Sequence, residues 1–378
     1  MKSYYTICAL FALVFFGCAK SDNDSDGGNE NKNTSIDADY AALLSKNGNL
    51  RPQLINANAE VITLNPSESA LTKKPLPDLN YVDGSYFLQY HKDGNCGGQI
   101  SKHDFKGDTT TEIPVFTDFN DCNLTATSIA KHENSIFISY VISSANPSSY
   151  LVRIIDASTS EISFIDVTLE EKPVDLTFAN DRLFILTLDE LVSDENNLFV
   201  MDMSSESLVH EMGLGYGVRR IFTDSNENII ISYDELHTTL NSITMAFEYT
   251  QYEGSTAPKF STSESSNFDL EGRLFYPMEP GDNSSYPLVP AIYDFSKKLV
   301  VLYAYENFLT EAKRNFEYEI ETTTTVGYDE KNGLMLIGYK KIDSATKEGG
   351  ILRIKLAPDP ALIDNIDLDG IPIEILVN

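Results

Sequence analysis

A short, strand-like apolar run returns along this chain at nearly constant spacing, and that period limits the fold more than any other feature. The copies are Tyr86-Phe87-Leu88-Gln89-Tyr90, Ile136-Phe137-Ile138-Ser139-Tyr140, Leu183-Phe184-Ile185-Leu186-Thr187, Ile229-Ile230-Ile231-Ser232-Tyr233, Leu299-Val300-Val301-Leu302-Tyr303 and Met335-Leu336-Ile337-Gly338-Tyr339. Turn formers precede most of them: Asp83-Gly84, Glu133-Asn134, Asn180-Asp181, Asn226 to Asn228 and Asn332-Gly333. Successive copies lie 50, 47 and 46 residues apart, then 70, then 36. Each run is too short for a helix and rich in β-branched and aromatic residues, and its unbroken apolar character calls for burial on both faces. Short strands repeating every 45 to 50 residues are the signature of β-propeller blades.

Further strands fill the intervals. Ser128–Ala130, Ile136–Ile142, Leu151–Ile155 and Ile162–Val167 make four strands of one unit, and Leu176–Phe178, Leu183–Leu188, Leu198–Met203 and Leu208–Met212 repeat them in the next. The expectation is an all-β chain with a single propeller of six or seven four-stranded blades over residues 40–378; a seventh blade would lie in the irregular stretch Tyr249–Tyr286. A ring must also close. Glu60–Leu64 reads as an early strand and Ile371–Val377, after a hairpin signal at Asp369-Gly370, as a final one; pairing the two ends in one blade removes exposed sheet edges. Two β-sandwich domains are the competing architecture, but sandwiches place turns every 8 to 12 residues without a longer period.

The N-terminus supplies an address. Lys2, an apolar run from Tyr4 to Phe16, Gly17 and then Cys18 follow the layout of a secretory signal, and the apolar run is too short to cross ~30 Å of hydrocarbon. This segment resembles a bacterial lipoprotein signal peptide, although Phe15 and Phe16 stand where that family prefers Leu and a small residue. The resemblance implies cleavage after residue 17, diacylation of Cys18 and anchoring to the outer membrane. Lys20 followed by Asp22, Asp24 and Asp26 is similar to the export tag of surface-exposed lipoproteins in some Gram-negative bacteria, which implies display at the cell surface. Residues 18–39 are rich in Asn, Asp, Ser and Gly and read as a disordered acidic tether with a reach of roughly 25 Å. Asp22, Asp24, Asp26 and Gly27 copy half of an EF-hand loop, yet Asn33 occupies the position of its bidentate Glu.

Charge excludes one class of partner. With 57 acidic against 28 basic residues the formal net charge is −29, which opposes nucleic acid and anionic lipid headgroups and favours cationic or neutral partners. The tether outreaches a Debye length of about 8 Å, so an anchored body can stand clear of an anionic surface.

Residues that carry chemistry are sparse. Cys96 and Cys122 are the cysteines of the body, and in an exported protein they form a disulfide most simply; closing that loop contributes roughly 3 kcal/mol in the chain-entropy model. Free thiols, or a metal shared with His91 and His103, are the alternatives, the spacing of the latter matching no common zinc pattern. His132 and His210 each precede Glu without a second His at helical spacing, and His237 stands alone. No Gly-x-Ser-x-Gly elbow or P-loop occurs. Gly213, Gly215 and Gly217 read as a tight link between blades, and Asp364, Asp367 and Asp369 as a solvated turn that could alternatively offer oxygen ligands to Ca²⁺. The chain has 20 Tyr, 20 Phe and no Trp, whereas quinone-dependent propeller dehydrogenases carry repeated Trp docking motifs; no cofactor is expected.

These readings favour a surface-tethered binding or scaffolding lipoprotein that offers propeller loop faces to a protein or glycan partner. The alternative is a metal-assisted carboxylate hydrolase or lyase at the channel mouth, which requires convergent Asp, Glu, His and Asn side chains there.

Overall fold

A computed structural model describes residues 37–378, apart from residues 95, 120–122, 144–147, 159–161, 191, 261–266 and 343–345. The segment expected to be a signal peptide (1–17), Cys18, the expected tether up to residue 36 and Cys122 lie outside the described residues. From residue 37 the chain folds as a seven-bladed β-propeller built from antiparallel sheets.

Blade 1 runs through Leu79–Asp83, Tyr86–Asp93, Gly97–Asp104 and Thr109–Val115; blade 2 through Leu124–His132, Ser135–Ile142, Ser149–Asp156 and Ser163–Leu169. Blade 3 comprises Lys172–Ala179, Arg182–Leu188, Asn196–Asp202 and Ser207–Gly215, and blade 4 comprises Arg220–Thr223, Asn228–Ser232, Leu236–Asn241 and Phe247–Gln251. Asn267–Phe268, Arg273–Met278, Val289–Asp294 and Leu299–Leu302 form blade 5; Ile320–Asp329, Leu334–Lys341, Gly349–Lys355 and Ala361–Leu368 form blade 6. Blade 7 closes the ring by combining the two chain ends, with Ile371–Val377 innermost, then Tyr40–Lys46, Asn49–Ala57 and Ile62–Leu64, while Lys74–Pro75 adds a short pairing to Asn49–Ala57.

Blade 7 corrects two expectations. The seventh blade is not hidden in Tyr249–Tyr286; its second strand begins at Tyr40, 46 residues before Tyr86. The irregular intervals of 70 and 36 have a simple origin, because Leu299–Leu302 is the outermost strand of blade 5, whereas the counterpart of the other runs is Arg273–Met278. With that replacement, second strands start at residues 40, 86, 135, 182, 228, 273 and 334. Asp369-Gly370 is likewise no hairpin turn, since it joins the outermost strand of blade 6 to the innermost strand of blade 7, in different sheets.

Alternation along the second strands explains how apolar runs hold a ring together. Successive side chains leave a strand on opposite faces, so each blade feeds two seams. Ile136, Ile138 and Tyr140 pack toward blade 1 with Leu88, Tyr90 and Ile100, while Phe137 and Val141 pack toward blade 3 with Leu183 and Ile185. A hydrophobic cluster of this kind fills each of the seven seams between neighbouring blades. The tyrosines that end the runs, Tyr90, Tyr140 and Tyr339, are fully buried members of these clusters.

The last seam requires glycine. A Cβ on Gly349 would stand 2.6 Å from the Tyr339 carbonyl oxygen and 2.7 Å from Pro372 Cδ, and one on Gly338 would stand 3.1 Å from Pro372 Cγ. Blade 6 thus leaves room for the final strand to cross its face before it becomes the inner strand of blade 7.

Candidate functional site

The innermost strands of all seven blades surround a central cavity of about 970 Å³, within the range typical of ligand sites. Because these strands have a neighbour on one side only, their other edge presents peptide groups to the channel. Leu79, Asn80 and Tyr81 contribute from blade 1, Ser128 from blade 2, Asp175 and Thr177 from blade 3, and Arg220 to Thr223 from blade 4. Asn267, Tyr328 and Ile375 represent the remaining three.

Polar side chains brace this wall across blades. Asp175 accepts hydrogen bonds from its neighbour's Leu176 N–H (2.9 Å), from Ser128 Oγ in blade 2 (3.2 Å) and from Ile221 N–H in blade 4 (3.0 Å), so one carboxylate joins three blades. Desolvation pushes its pKa up, against the opposing pull of those donors and of Arg220. The Thr177 and Thr223 hydroxyls meet at 2.7 Å, and Thr223 also donates to the Phe178 carbonyl at 2.8 Å. On the other side, Asn267 Nδ2 donates to the Val326 carbonyl (3.0 Å) and to Glu374 (3.3 Å), linking blades 5, 6 and 7. Burial, with the charges of Asp83 and Asp175, raises Tyr81 to about 12, so its phenol stays protonated.

At one mouth, the link from blade 3 to blade 4 carries two left-handed glycines, Gly215 (φ 74°) and Gly217 (φ 78°). Between them Tyr216 is 65% exposed, which agrees with the expectation of a tight inter-blade link there. Arg219, just beyond, is held by Asp234 at 2.7 Å, and the Arg220 guanidinium lies 4.8 Å from the Phe222 ring centre.

The residues singled out in the sequence occupy other places. Cys96, in the turn between the second and third strands of blade 1, is disulfide-bonded. His91 and His103 do not meet: His103 stands opposite Phe87, four residues along the same strand from His91, about 13 Å away. A metal shared by these two is therefore ruled out by register. His132 stacks on Phe178 at 3.9 Å, and His210 is exposed on the outermost strand of blade 3. Asp364 and Asp367 sit in a strand rather than a turn, where Asp364 pairs with Arg353 (2.6 Å) and Asp367 with Lys341 (2.8 Å); Asp369 pairs with Arg51. Among the described residues no group of three or more His, Cys, Asp or Glu side chains is gathered closely enough to hold a metal ion.

One cluster shaped like chemistry escaped the sequence reading. Ser69 Oγ lies 3.4 Å from His103 Nε2, and His103 Nδ1 lies 2.7 Å from Thr110 Oγ1, an order that resembles nucleophile, base and orienting group. The nearby donors are already committed, however. Ser69 Oγ donates to Asp108 (3.0 Å) and accepts from Leu71 N–H (3.1 Å), while Ala70 N–H goes to Asp108 (2.7 Å), leaving neither amide for an oxyanion. What the cluster does is pin the strap after blade 7 onto blade 1. No local motif could have shown it, because Ser69 and His103 are 34 residues apart.

No protein-family model and no curated protein sequence matches the chain. Solved structures do. A puromycin hydrolase superposes with a TM-score of 0.51 at 11% identity over 89% of this chain, which spans only 55% of that protein's length. The apo form of AztD from Citrobacter koseri gives 0.46 at 10% identity over 90% of this chain and 86% of that one. The WD40 domain of Pan2 from Neurospora crassa gives 0.44 at 10% identity over 76% and 78%. The likeness is one of fold.

Proposed function

We propose that this chain is an exported lipoprotein whose propeller serves as a binding or scaffolding module outside the cell, tethered to the outer membrane through Cys18. The observation that carries the binding role is the channel: all seven blades contribute to one cavity, its wall braced by Asp175, Thr177, Thr223 and Asn267, with loops of unequal length around its mouth. Rigid strands below and variable loops above are the arrangement in which propellers and other scaffolds present recognition surfaces. Support for the address comes from Lys2, the Tyr4–Phe16 run and Gly17-Cys18, and from the acids behind them. A chain of net charge −29 selects cationic or neutral partners over nucleic acid.

Metabolic palmitate labelling of the native protein and of Cys18→Ser tests the anchor, and protease accessibility on intact cells tests display. Purification from native membranes under mild detergent, followed by identification of the stoichiometric companion, tests the binding role. Loss of label and of surface exposure in Cys18→Ser, with a reproducible companion in the native protein, is the expected outcome. An unlabelled native protein would overturn the address, and a protein recovered alone would overturn the scaffold.

A further inference from the structure

The mouth of the channel over blades 3 and 4 combines an aromatic side chain, unbalanced acid and an opening of defined size. Tyr216 is exposed because the chain passes through two left-handed residues, Gly215 and Gly217, a path that an L side chain at either position resists. Glu195 and Tyr216 flank the paired residues Asn196 and Gly215, which puts the acid and the ring at the same end of this strand pair, with Asp194 next along the chain. Asp194 and Gly217 themselves line the cavity, as do Asp78 and Asp175. Two guanidiniums face these acids. Arg219 is engaged by Asp234, and Arg220 is drawn against Phe222. Four carboxylates, Asp175, Asp194, Glu195 and Asp234, thus share this side of the channel with two cations, while the cavity below adds apolar wall from Leu186, Leu188 and Ile221.

We infer that this quadrant receives a lysine or arginine side chain from a basic polypeptide partner, an assignment that rests on the binding-module reading above. The Tyr216 ring takes the face of the cation, Asp194 and Glu195 supply the counter-charge, and the aliphatic stem lies against the apolar wall. Charge complementarity favours that occupant. A chain with 57 acids against 28 bases attracts cationic segments from a distance, and the local excess of acid at the mouth fixes where they dock.

The test is a titration of the detergent-solubilised full chain with an acetylated, amidated tri-lysine peptide, with tri-glutamine, tri-glutamate and free spermidine as comparators. One-to-one binding of tri-lysine that weakens with salt is expected. Tyr216→Ala should reduce affinity about two- to thirtyfold, the range for a cation over an aromatic ring, and Asp194→Asn should also weaken binding. Asp359→Asn, in the turn joining the third and fourth strands of blade 6 at the opposite end of the ring, should leave it unchanged. Absence of tri-lysine binding, equal losses in Asp194→Asn and Asp359→Asn, or spermidine binding as tightly as tri-lysine would each overturn the assignment. Failure here alongside a stable co-purifying companion removes only this docking site, whereas a chain recovered without any companion removes the broader reading.

Discussion

The Tyr40 hydroxyl donates to the Asp329 carboxylate across 289 residues of sequence, joining the first strand of the body to the innermost strand of blade 6. Both side chains are buried. Asp329 also accepts from Asn332 N–H and Asn332 Nδ2, so a turn in blade 6 and the entry into blade 7 share one carboxylate. Around it the ends of the chain are tied together: Asn378 N–H donates to the Asp39 carbonyl (3.0 Å), and Lys331 reaches Asp39 at 3.3 Å. A propeller that closes with strands from both termini depends on such contacts, because its last seam forms only when the two ends meet.

Tyr40→Phe keeps the ring in the cluster with Leu336 and Ile351 and removes only the hydroxyl. A hydrogen bond to a charged acceptor contributes roughly 1.5 to 3 kcal/mol, so a loss of that order is expected in urea unfolding with an unchanged slope. A variant as stable as the native chain would show that the closure does not draw on this contact.

Tyr40 also marks where the sequence was readable and where it was not. The strands around Ile136 and Leu183 were legible to within a few residues, because a continuous apolar run bounded by turns can hardly be anything else. Tyr40-Ala41-Ala42-Leu43-Leu44 is a weaker version of the same run, its alanines carrying no β preference, and it was passed over although it lies one period before Tyr86. Leu299–Leu302 misled in the opposite sense: four aliphatic residues look like a core strand, yet this one is at the blade edge, where Leu299 is 52% exposed. The channel wall was invisible for a different reason. Asp175, Ser128 and Ile221 belong to three blades, and only the ring brings them together.

Ile138→Asp should prevent folding. Ile138 is fully buried in the seam between blades 1 and 2, and its cross-strand neighbour Arg153 is already committed to Asp118 and Asp166, so a third carboxylate there would be buried without a cation of its own. Circular dichroism and gel filtration would check it; a soluble variant that unfolds cooperatively near the native midpoint would remove Ile138 from the core.

Arg153 is fully buried, yet it holds two carboxylates, Asp118 at 2.7 Å and Asp166 at 2.6 Å, and its guanidinium lies 3.9 Å from the centre of the Phe164 ring. Hydrogen bonding from Arg153 is the main reason that the Asp118 pKa is lowered. Arg153→Met leaves both acids without their cation, and because Asp118 and Asp166 keep part of their surface in water a loss of about 1 to 3 kcal/mol is expected by chemical denaturation. Adding Asp166→Asn to that variant should recover part of the loss, and strict additivity of the two changes would argue against a coupled pair.

Gly349→Ala tests the room left for the last strand. The new methyl meets the Tyr339 carbonyl oxygen and Pro372 inside contact distance, and backbone on both sides must move. Overpacking of this kind costs about 1 to 3 kcal/mol. Gly254→Ala, where nothing lies within 4 Å, is the control and should be close to neutral.

His237 should make the protein sensitive to mild acid. It is 2% exposed, with Nδ1 against the Tyr252 hydroxyl, which in turn meets Tyr293. Burial first, and then the charge of Lys298, lower its pKa from 6.5 to about 4, with Glu248 pulling weakly the other way. Between these values the unfolded chain binds a proton on His237 that the folded chain refuses, so the unfolded state is favoured as pH falls from about 6.5 to about 4. The native advantage is complete above pH 6.5, and about 3 kcal/mol of it is lost by pH 4, at 1.36 kcal/mol for each unit of difference. Carboxylates contribute to acid unfolding as well, so the measurement is the difference in unfolding free energy between the native chain and His237→Gln across that window. That difference should shrink as the pH drops, because the variant has no imidazole to protonate; a constant difference from pH 7 to pH 4 would show that His237 titrates alike in the folded and unfolded chains.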